Sequence, residues 1–131
     1  ETSSTGATIT GNLVMGTGQI KFADTGSIFL GDSNDLQIIH DGSHSRIKDI
    51  GSGHLTINAT DFVVNNSADT KNMLQAIDGG EVKLFHNASL KLETTSSGIK
   101  VPTAGDGLQL VSPNGTVFTV TVDNSGNLSV A

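Results

Sequence analysis

The chain has 131 residues, a formal net charge of −6 and a sequence pI near 4.8. Its seven Lys and Arg residues are scattered singly, which argues against a nucleic-acid partner and against binding to an anionic membrane surface. The chain has no cysteine, which excludes disulfides and thiolate zinc sites, and no run approaches the roughly 18 apolar residues of a membrane span.

The composition favours many short strands over one deep core. Hydrophobic residues make up 35% of the chain and aromatic residues 4%, while glycine occurs 16 times among many Ser, Thr, Asn and Asp residues. These are turn-forming residues, and a chain so poor in large side chains buries little apolar area by itself. We therefore expect a core that is shared across repeats or across identical chains.

In chain order, residues 1–30 form a predicted N-terminal strand segment, in which ATITGNLVMG and GQIKFADTG place apolar residues between glycines. The next stretch, LQIIHDGSHSRIKD, predicts a hairpin with a polar turn. In GHLTINATDFVVNN, Leu55 and Ile57, then Phe62 and Val64, recur at period two, which predicts strand.

One segment, Ala68–Ile77, has helical spacing at Met73, Leu74 and Ile77. It is short, and Asp78-Gly79-Gly80 follows as a hairpin-type turn, so we interpret it as strand or irregular link. EVKLFHN then alternates between two faces. Residues 102–131 predict closing strands around two turns, Ser-Pro-Asn-Gly and Asn-Ser-Gly-Asn.

The hairpin sequence occurs twice, 46 positions apart. The predicted repeat region is residues 31–101, in which residues 31–53 and 79–101 are equivalent. Four residues of one copy align with four of the other: Leu36, Ile38, Ile39 and His40 with Val82, Leu84, Phe85 and His86. Asp41-Gly42-Ser43 aligns with Asn87-Ala88-Ser89, and after a one-residue slip Ile47 aligns with Leu92. Such self-similarity predicts a structural unit that packs against its neighbours.

The polar corner of the first copy supplies the candidate binding residues: His40, Asp41, Ser43 and His44, with Asp78 on a later turn. His40 and His44 would need further ligands to hold zinc, and the second copy has Leu90 at the position of His44. A strand-end His that hydrogen-bonds to its turn is the simpler interpretation. No metal site and no cofactor are predicted, although three His40 or three His86 could meet on a threefold axis.

Two further patterns have simpler structural interpretations. Asp32, Asn34 and Asp35 resemble a calcium loop but lack its later glycine and terminal Glu, so an Asx-rich turn is the alternative. His40, Asp41 and Ser43 contain the residue types of a catalytic triad within one turn, where their side chains diverge. We therefore expect no enzymatic activity. The chain has no Trp or Tyr on which a sugar ring commonly stacks.

The runs GDSNDLQIIHDGSHSRIKDIGSG and GGEVKLFHNASLKLETTSSGIKV resemble a repeat found in tail-fibre and other virion structural proteins of marine bacteriophages, including cyanophages. The resemblance covers residues 31–101. It rests on Gly31-Asp32-Ser33-Asn34-Asp35-Leu36, on His40-Asp41-Gly42-Ser43, and on the later Lys-x-Glu-Thr-Thr-Ser. Ile39 stands where the family has an aromatic residue before the His.

This resemblance implies an elongated all-β fibre or spike module of the virion, a homotrimer built as an intertwined β-helix or β-prism. Its implied partners are other copies, other virion tail proteins and host surface glycans. The alternatives are a glycan-binding receptor tip and a fragment of a polysaccharide-degrading tailspike. In the trimeric arrangement residues 41–43 and 87–89 form outward turns. Six apolar residues face inward: Ile38, Ile47, Ile57, Val64, Leu84 and Leu92.

Overall fold

Turns divide the chain into short antiparallel strands. The computed structural model describes residues 9–131, so residues 1–8 of the predicted N-terminal segment lie outside the described residues. The chain falls into two compact units, the first ending at Thr56 and the second running from Ile57 to Ala131. The described residues contain eleven strands in three sheets and no helix, which confirms the all-β prediction.

The first sheet lies in the first unit and has the order β1-β2-β3. Its strands are β1 (Ser27–Leu30), β2 (Leu36–His40) and β3 (Ser45–Asp49). In the register, Ile28 pairs with Ile38, and Ile38 pairs with Ile47. Since alternate residues of a strand share a face, five apolar residues lie on one face, namely Ile28, Leu30, Leu36, Ile38 and Ile47.

The second sheet has five strands in sequence order and belongs to the second unit. They are β4 (Asp61–Asn65), β5 (Asn72–Ile77), β6 (Val82–His86), β7 (Ser89–Thr95) and β8 (Gly98–Lys100). One face carries a continuous cross-strand row of Val64, Leu74, Leu84 and Leu92. The same face also carries Phe62, Ala76, Val82 and Ile99. The opposite face carries the row Val63, Gln75, Lys83, Glu93 and Lys100.

The third sheet is a meander of β9 (Leu108–Val111), β10 (Val117–Val122) and β11 (Leu128–Val130), with β10 in the centre. Seven residues share one face in the observed register, namely Leu108, Leu110, Phe118, Val120, Val122, Leu128 and Val130. The two turns lie where the sequence predicts them, after β9 and after β10.

The apolar faces of the three sheets are open. No side chain among residues 9–131 is buried, and many large apolar side chains are more than 40% exposed. A stable β protein normally covers one face of each sheet. Each sheet is thus amphipathic without its own core. Five of the six residues predicted to face inward share these apolar faces, and four of the six, Ile38, Ile47, Ile57 and Leu84, are exposed in the single chain.

Both copies of the repeat form a hairpin, but their corners differ from the sequence alignment. The first hairpin has a four-residue connection, residues 41–44, because His40 pairs with Ser45. The second has two residues, because His86 pairs with Ser89. Ser89 therefore begins β7, and its counterpart is Ser45 rather than Ser43. A one-residue bulge at Lys91 partly offsets the shorter turn, which accounts for the one-residue slip.

The strands predicted in two segments are absent from the described residues. Residues 9–26 and 51–60 form none, although apolar residues in them alternate or cluster between glycines, since their backbones make isolated hydrogen bonds to other segments and no strand ladder. A strand needs a hydrogen-bonded neighbour as well as an alternating pattern. By contrast, the segment Ala68–Ile77, interpreted from the sequence as strand or irregular link, contains strand β5. The residues before β5 form a turn in which Asn66 Oδ1 accepts hydrogen bonds from the Thr70 and Lys71 backbones.

Candidate functional site

The corner of the first hairpin is organised by one carboxylate. Asp41 Oδ1 accepts hydrogen bonds from the backbone N–H of Ser43, at 3.0 Å, and of His44, at 2.8 Å. The Asp41 backbone N–H donates to the His44 carbonyl at 3.1 Å, which closes the turn. Gly42 supplies the left-handed backbone conformation that this path needs, with φ of 92°. Sequence patterning selected these residues as a binding site, and their hydrogen bonds give them a turn-forming role.

Arg46 completes the corner. It is the only arginine of the chain, and its guanidinium pairs with Asp41 Oδ2 on the return strand. The backbone N–H of His44 and then that of Ser43 lower the pKa of Asp41, and Arg46 lowers it further. Each of these groups stabilises the carboxylate form. Asp41 is therefore a carboxylate at neutral pH, anchored by its turn and by Arg46.

His40 lies at the edge of this corner and contacts a preceding segment. The His40 carbonyl accepts a hydrogen bond from the Thr25 backbone N–H at 2.8 Å. The ring atom Nδ1 lies 3.1 Å from Ser45 Oγ, and Nε2 lies 4.0 Å from Asp24 Oδ1. The ring thus joins its own hairpin to the stretch before β1. His40 bonds Ser45 rather than Ser43, and this pairing does not assemble the triad considered above.

A depression of about 530 Å³ opens beside His40. Its lining includes Ile28, Ile38 and Ile47, the cross-strand row of the first sheet. Phe22, Asp24 and His40 also line it. A largely apolar lining with a few polar groups can receive the apolar face of a sugar ring, or the apolar side chains of another protein surface. Both uses follow from the same geometry.

The structure brings four of the five predicted site residues together. His40, Asp41, Ser43 and His44 occupy one corner of the first unit. Asp78 belongs to the second unit, on the exposed turn between β5 and β6, where its backbone N–H donates to the Thr60 carbonyl at 2.8 Å. The four-residue cluster and Asp78 are thus separate features of the two units.

Two neighbours of the corner were missed by sequence reasoning. Arg46 could have been found from the sequence. Antiparallel pairing around a turn at 41–44 places it opposite Ile39, two residues before Asp41, and it is the only arginine of the chain. Asp24 had no such signal. It reaches His40 through the backbone path of residues 22–26, where a side chain in place of Gly26 would meet the Ala23 carbonyl at 2.9 Å.

The part of the chain that the structure describes contains no group of three His, Cys, Asp or Glu side chains that could hold a metal ion. The stretch resembling a calcium loop forms the turn between β1 and β2. There Asn34 adopts φ of 60°, and the Asp35 carbonyl accepts hydrogen bonds from Ile50 and Gly51.

The comparisons with known proteins add no relative. No family model, no curated protein and no solved structure matches the chain. Across residues 9–131, the structure has no helix of the length and apolarity needed to cross a bilayer.

Proposed function

We propose that the chain is a non-enzymatic structural module of a bacteriophage tail fibre or spike. In this proposal it assembles as a homotrimer in the virion, joins other tail proteins and contributes to host attachment. One observation carries the self-assembly in this proposal: each of the three sheets has an apolar face, and none of the residues described is buried.

The energetics of the open faces support self-assembly. Covering a Leu, Ile, Val or Phe side chain contributes about 1.5–3 kcal/mol. A single chain leaves most of this stabilisation unrealised, because exposed residues on all three apolar faces remain in contact with water. Identical chains around a closed threefold axis present the same faces to each other and bury them together.

Residues 9–26 and 51–60 provide a second line of support. They carry exposed apolar residues, among them Val14, Ile20, Leu55 and Ile57, without a strand partner in the described chain. In an intertwined trimer another copy supplies the missing strand, and the alternating apolar residues of these segments then lie in a paired strand.

The assignment to a bacteriophage virion rests on the resemblance of residues 31–101 to the tail-fibre repeat. The repeat geometry is consistent with it, since what recurs is a row of apolar side chains. The polar corner differs between the copies, which is expected of a packing unit more than of a site used twice.

Sedimentation at several concentrations tests the proposal. We expect a stable species of three chains of 13.5 kDa each, down to micromolar concentration. A monodisperse single chain at that concentration would refute the self-assembly.

A glycan-binding receptor tip is the second candidate, and the depression beside His40 favours it. Binding to isolated bacterial envelope polysaccharides distinguishes the two. A receptor tip loses binding when His40→Ala and Asp24→Ala remove polar groups that line the depression. The matched control is His86→Ala, which changes the same repeat position in the other hairpin. A purely structural module shows no binding to remove.

A further inference from the structure

The third sheet has the most uniform surface of the three. Its cross-strand rows Leu110–Phe118, Leu108–Val120–Val130 and Val122–Leu128 all fall on one face. Side-chain exposure on this face reaches 76% at Leu128 and is 40% at Phe118. By comparison, the apolar face of the first sheet includes Asp49, and that of the second includes Thr94.

The opposite face of the third sheet is suited to water. It carries Gln109, Thr119, Thr121 and Ser129, with the pair Val111–Val117 at one end, and the hydroxyls of Thr121 and Ser129 lie 2.9 Å apart in a cross-strand hydrogen bond. The sheet therefore has one wholly apolar face and one mainly polar face, and a one-residue slip in register would exchange them.

The register is fixed at both turns and at the last residue. Thr119 and Ala131 exchange backbone hydrogen bonds of 2.8 and 3.1 Å. Asp123 Oδ1 accepts from the Ser125 and Asn127 backbones, which sets the second turn, and Asn114 Oδ1 accepts from Thr116 in the first. The apolar face is consequently presented as a pre-organised surface.

We propose that the apolar face of β9–β11 is the principal assembly surface of the chain, and that the same face of other copies covers it. This inference rests on the proposed self-assembly and names where it occurs. Contiguous exposed apolar patches beyond a few hundred Å² are rare on monomers and mark interfaces.

A second copy is the occupant that the chemistry favours. The face carries no charged or polar side chain, so two identical faces meet without repulsion between like charges, although each chain carries a net charge of −6. It also offers no hydrogen-bonding group through which a polar ligand or a glycan would be recognised. Apolar area is its means of recognition, and every copy of the chain presents the same area around a symmetry axis.

Paired variants test the surface. Leu110→Thr with Leu128→Thr places two hydroxyls on the apolar face, while the control, Gln109→Thr with Ser129→Thr, alters the opposite face of the same strands. Threonine keeps a high strand propensity in both. We expect the apolar-face variant to need about a hundredfold higher concentration to assemble, and the control to assemble like the wild type. Far-UV circular dichroism checks that both variants keep their strands.

A thiol measurement covers the case in which the apolar-face variant fails to fold. The chain has no cysteine, so Val120→Cys and Thr119→Cys each give one reactive group, on opposite faces of β10. We expect the thiol at position 120 to react with a maleimide at least tenfold more slowly than the thiol at 119 in the assembled protein. Dilution below the assembly concentration should restore its reactivity.

The outcomes separate this inference from the proposal beneath it. If the wild type assembles but the apolar-face variant assembles equally well, or the thiol at 120 reacts as fast as that at 119, this surface is not the principal one and self-assembly stands. If the wild type is monomeric, both fail.

Discussion

The two repeated hairpins, β2–β3 and β6–β7, share the apolar row across their strands and differ at their corners. Ile38 pairs with Ile47 in the first, and Leu84 pairs with Leu92 at the equivalent place in the second. The first corner is a four-residue turn around Asp41, with His40 beside Asp24. The second is a two-residue turn in which Asn87 and Ala88 both have positive φ, of 49° and 67°.

This difference separates the repeated feature from the local one. A site used twice would repeat the groups around the histidine, but Asn87 Oδ1 accepts a hydrogen bond from Lys71 Nζ at 2.6 Å, where Asp41 binds its own turn and Arg46. The apolar row recurs with its cross-strand partners. The repeat is thus better explained by what the strands pack against than by chemistry at the corner.

The largest expected effect comes from breaking the shared row. Leu84→Ser and Ile38→Ser should each lower the free energy of unfolding by about 2–3 kcal/mol per chain, because a covered apolar side chain is lost from the assembly. Denaturant titration of the assembled protein measures this.

The change Lys48→Ser lies on the opposite face of the first sheet, where Lys48 is exposed, and serves as the control, with a shift within about 0.5 kcal/mol. Leu84 is 42% exposed in the single chain, so the explanation attributes its expected loss of stability to coverage by other copies. Equal losses from changes on both faces would contradict the shared-row explanation.

Changing the residue at a positive-φ position of each corner should alter the free energy of unfolding by a smaller amount, with opposite signs at the two corners. Gly42→Ala forces an alanine into φ of 92° and should destabilise the protein by about 1–2 kcal/mol. Ala88→Gly relieves the same kind of strain and should stabilise it by about 0.5–1 kcal/mol. Thermal unfolding of both variants measures the signs. A loss of stability in Ala88→Gly would show that the second turn is not held in the left-handed region.

The smallest effect concerns acid stability and should be confined to the first corner. The backbone N–H groups of His44 and Ser43, with Arg46, hold the pKa of Asp41 below its ordinary value of 3.8. The stability from this carboxylate is present above the unfolded-state pKa and is lost as the pH falls through the lower folded-state pKa. Asp41→Asn should therefore flatten the fall in stability below about pH 4.

The second hairpin already has Asn87 at this position and has no matching titration. Urea unfolding of the wild type and of Asp41→Asn at a series of acidic pH values measures the slope. Identical slopes would mean that Asp41 is not held by its turn in solution.

Sequence patterning predicted what depends on local chemistry. The C-terminal meander follows from alternating residues around Ser-Pro-Asn-Gly, and the two hairpins follow from the repeat. The expected trimeric arrangement also placed Ile38 with Ile47 and Leu84 with Leu92 on inward faces, and the observed register pairs them across the strands. The site residues were found only in part, because Asp24 reaches His40 through the chain path and not through a motif.

The failures have a common physical origin. Residues 9–26 and 51–60 alternate like strands, but alternation does not reveal whether a partner strand is available within the chain. The corner alignment missed the bulge at Lys91, since a shorter turn and an added residue nearly cancel in sequence. Both depend on pairing between segments, which a single run of residues does not encode.

Hydroxyl-radical footprinting of the assembled protein tests the central claim most directly, which is that other copies cover the apolar sheet faces. Phe62, on the apolar face of the second sheet, is 40% exposed in the single chain, and Phe29, on the face of the first sheet that carries Gln37 and Lys48, is 47% exposed. Coverage by other copies predicts that Phe62 is oxidised at least fivefold more slowly than Phe29. Equal oxidation of the two rings would contradict it, because the apolar face would then be open to water in solution.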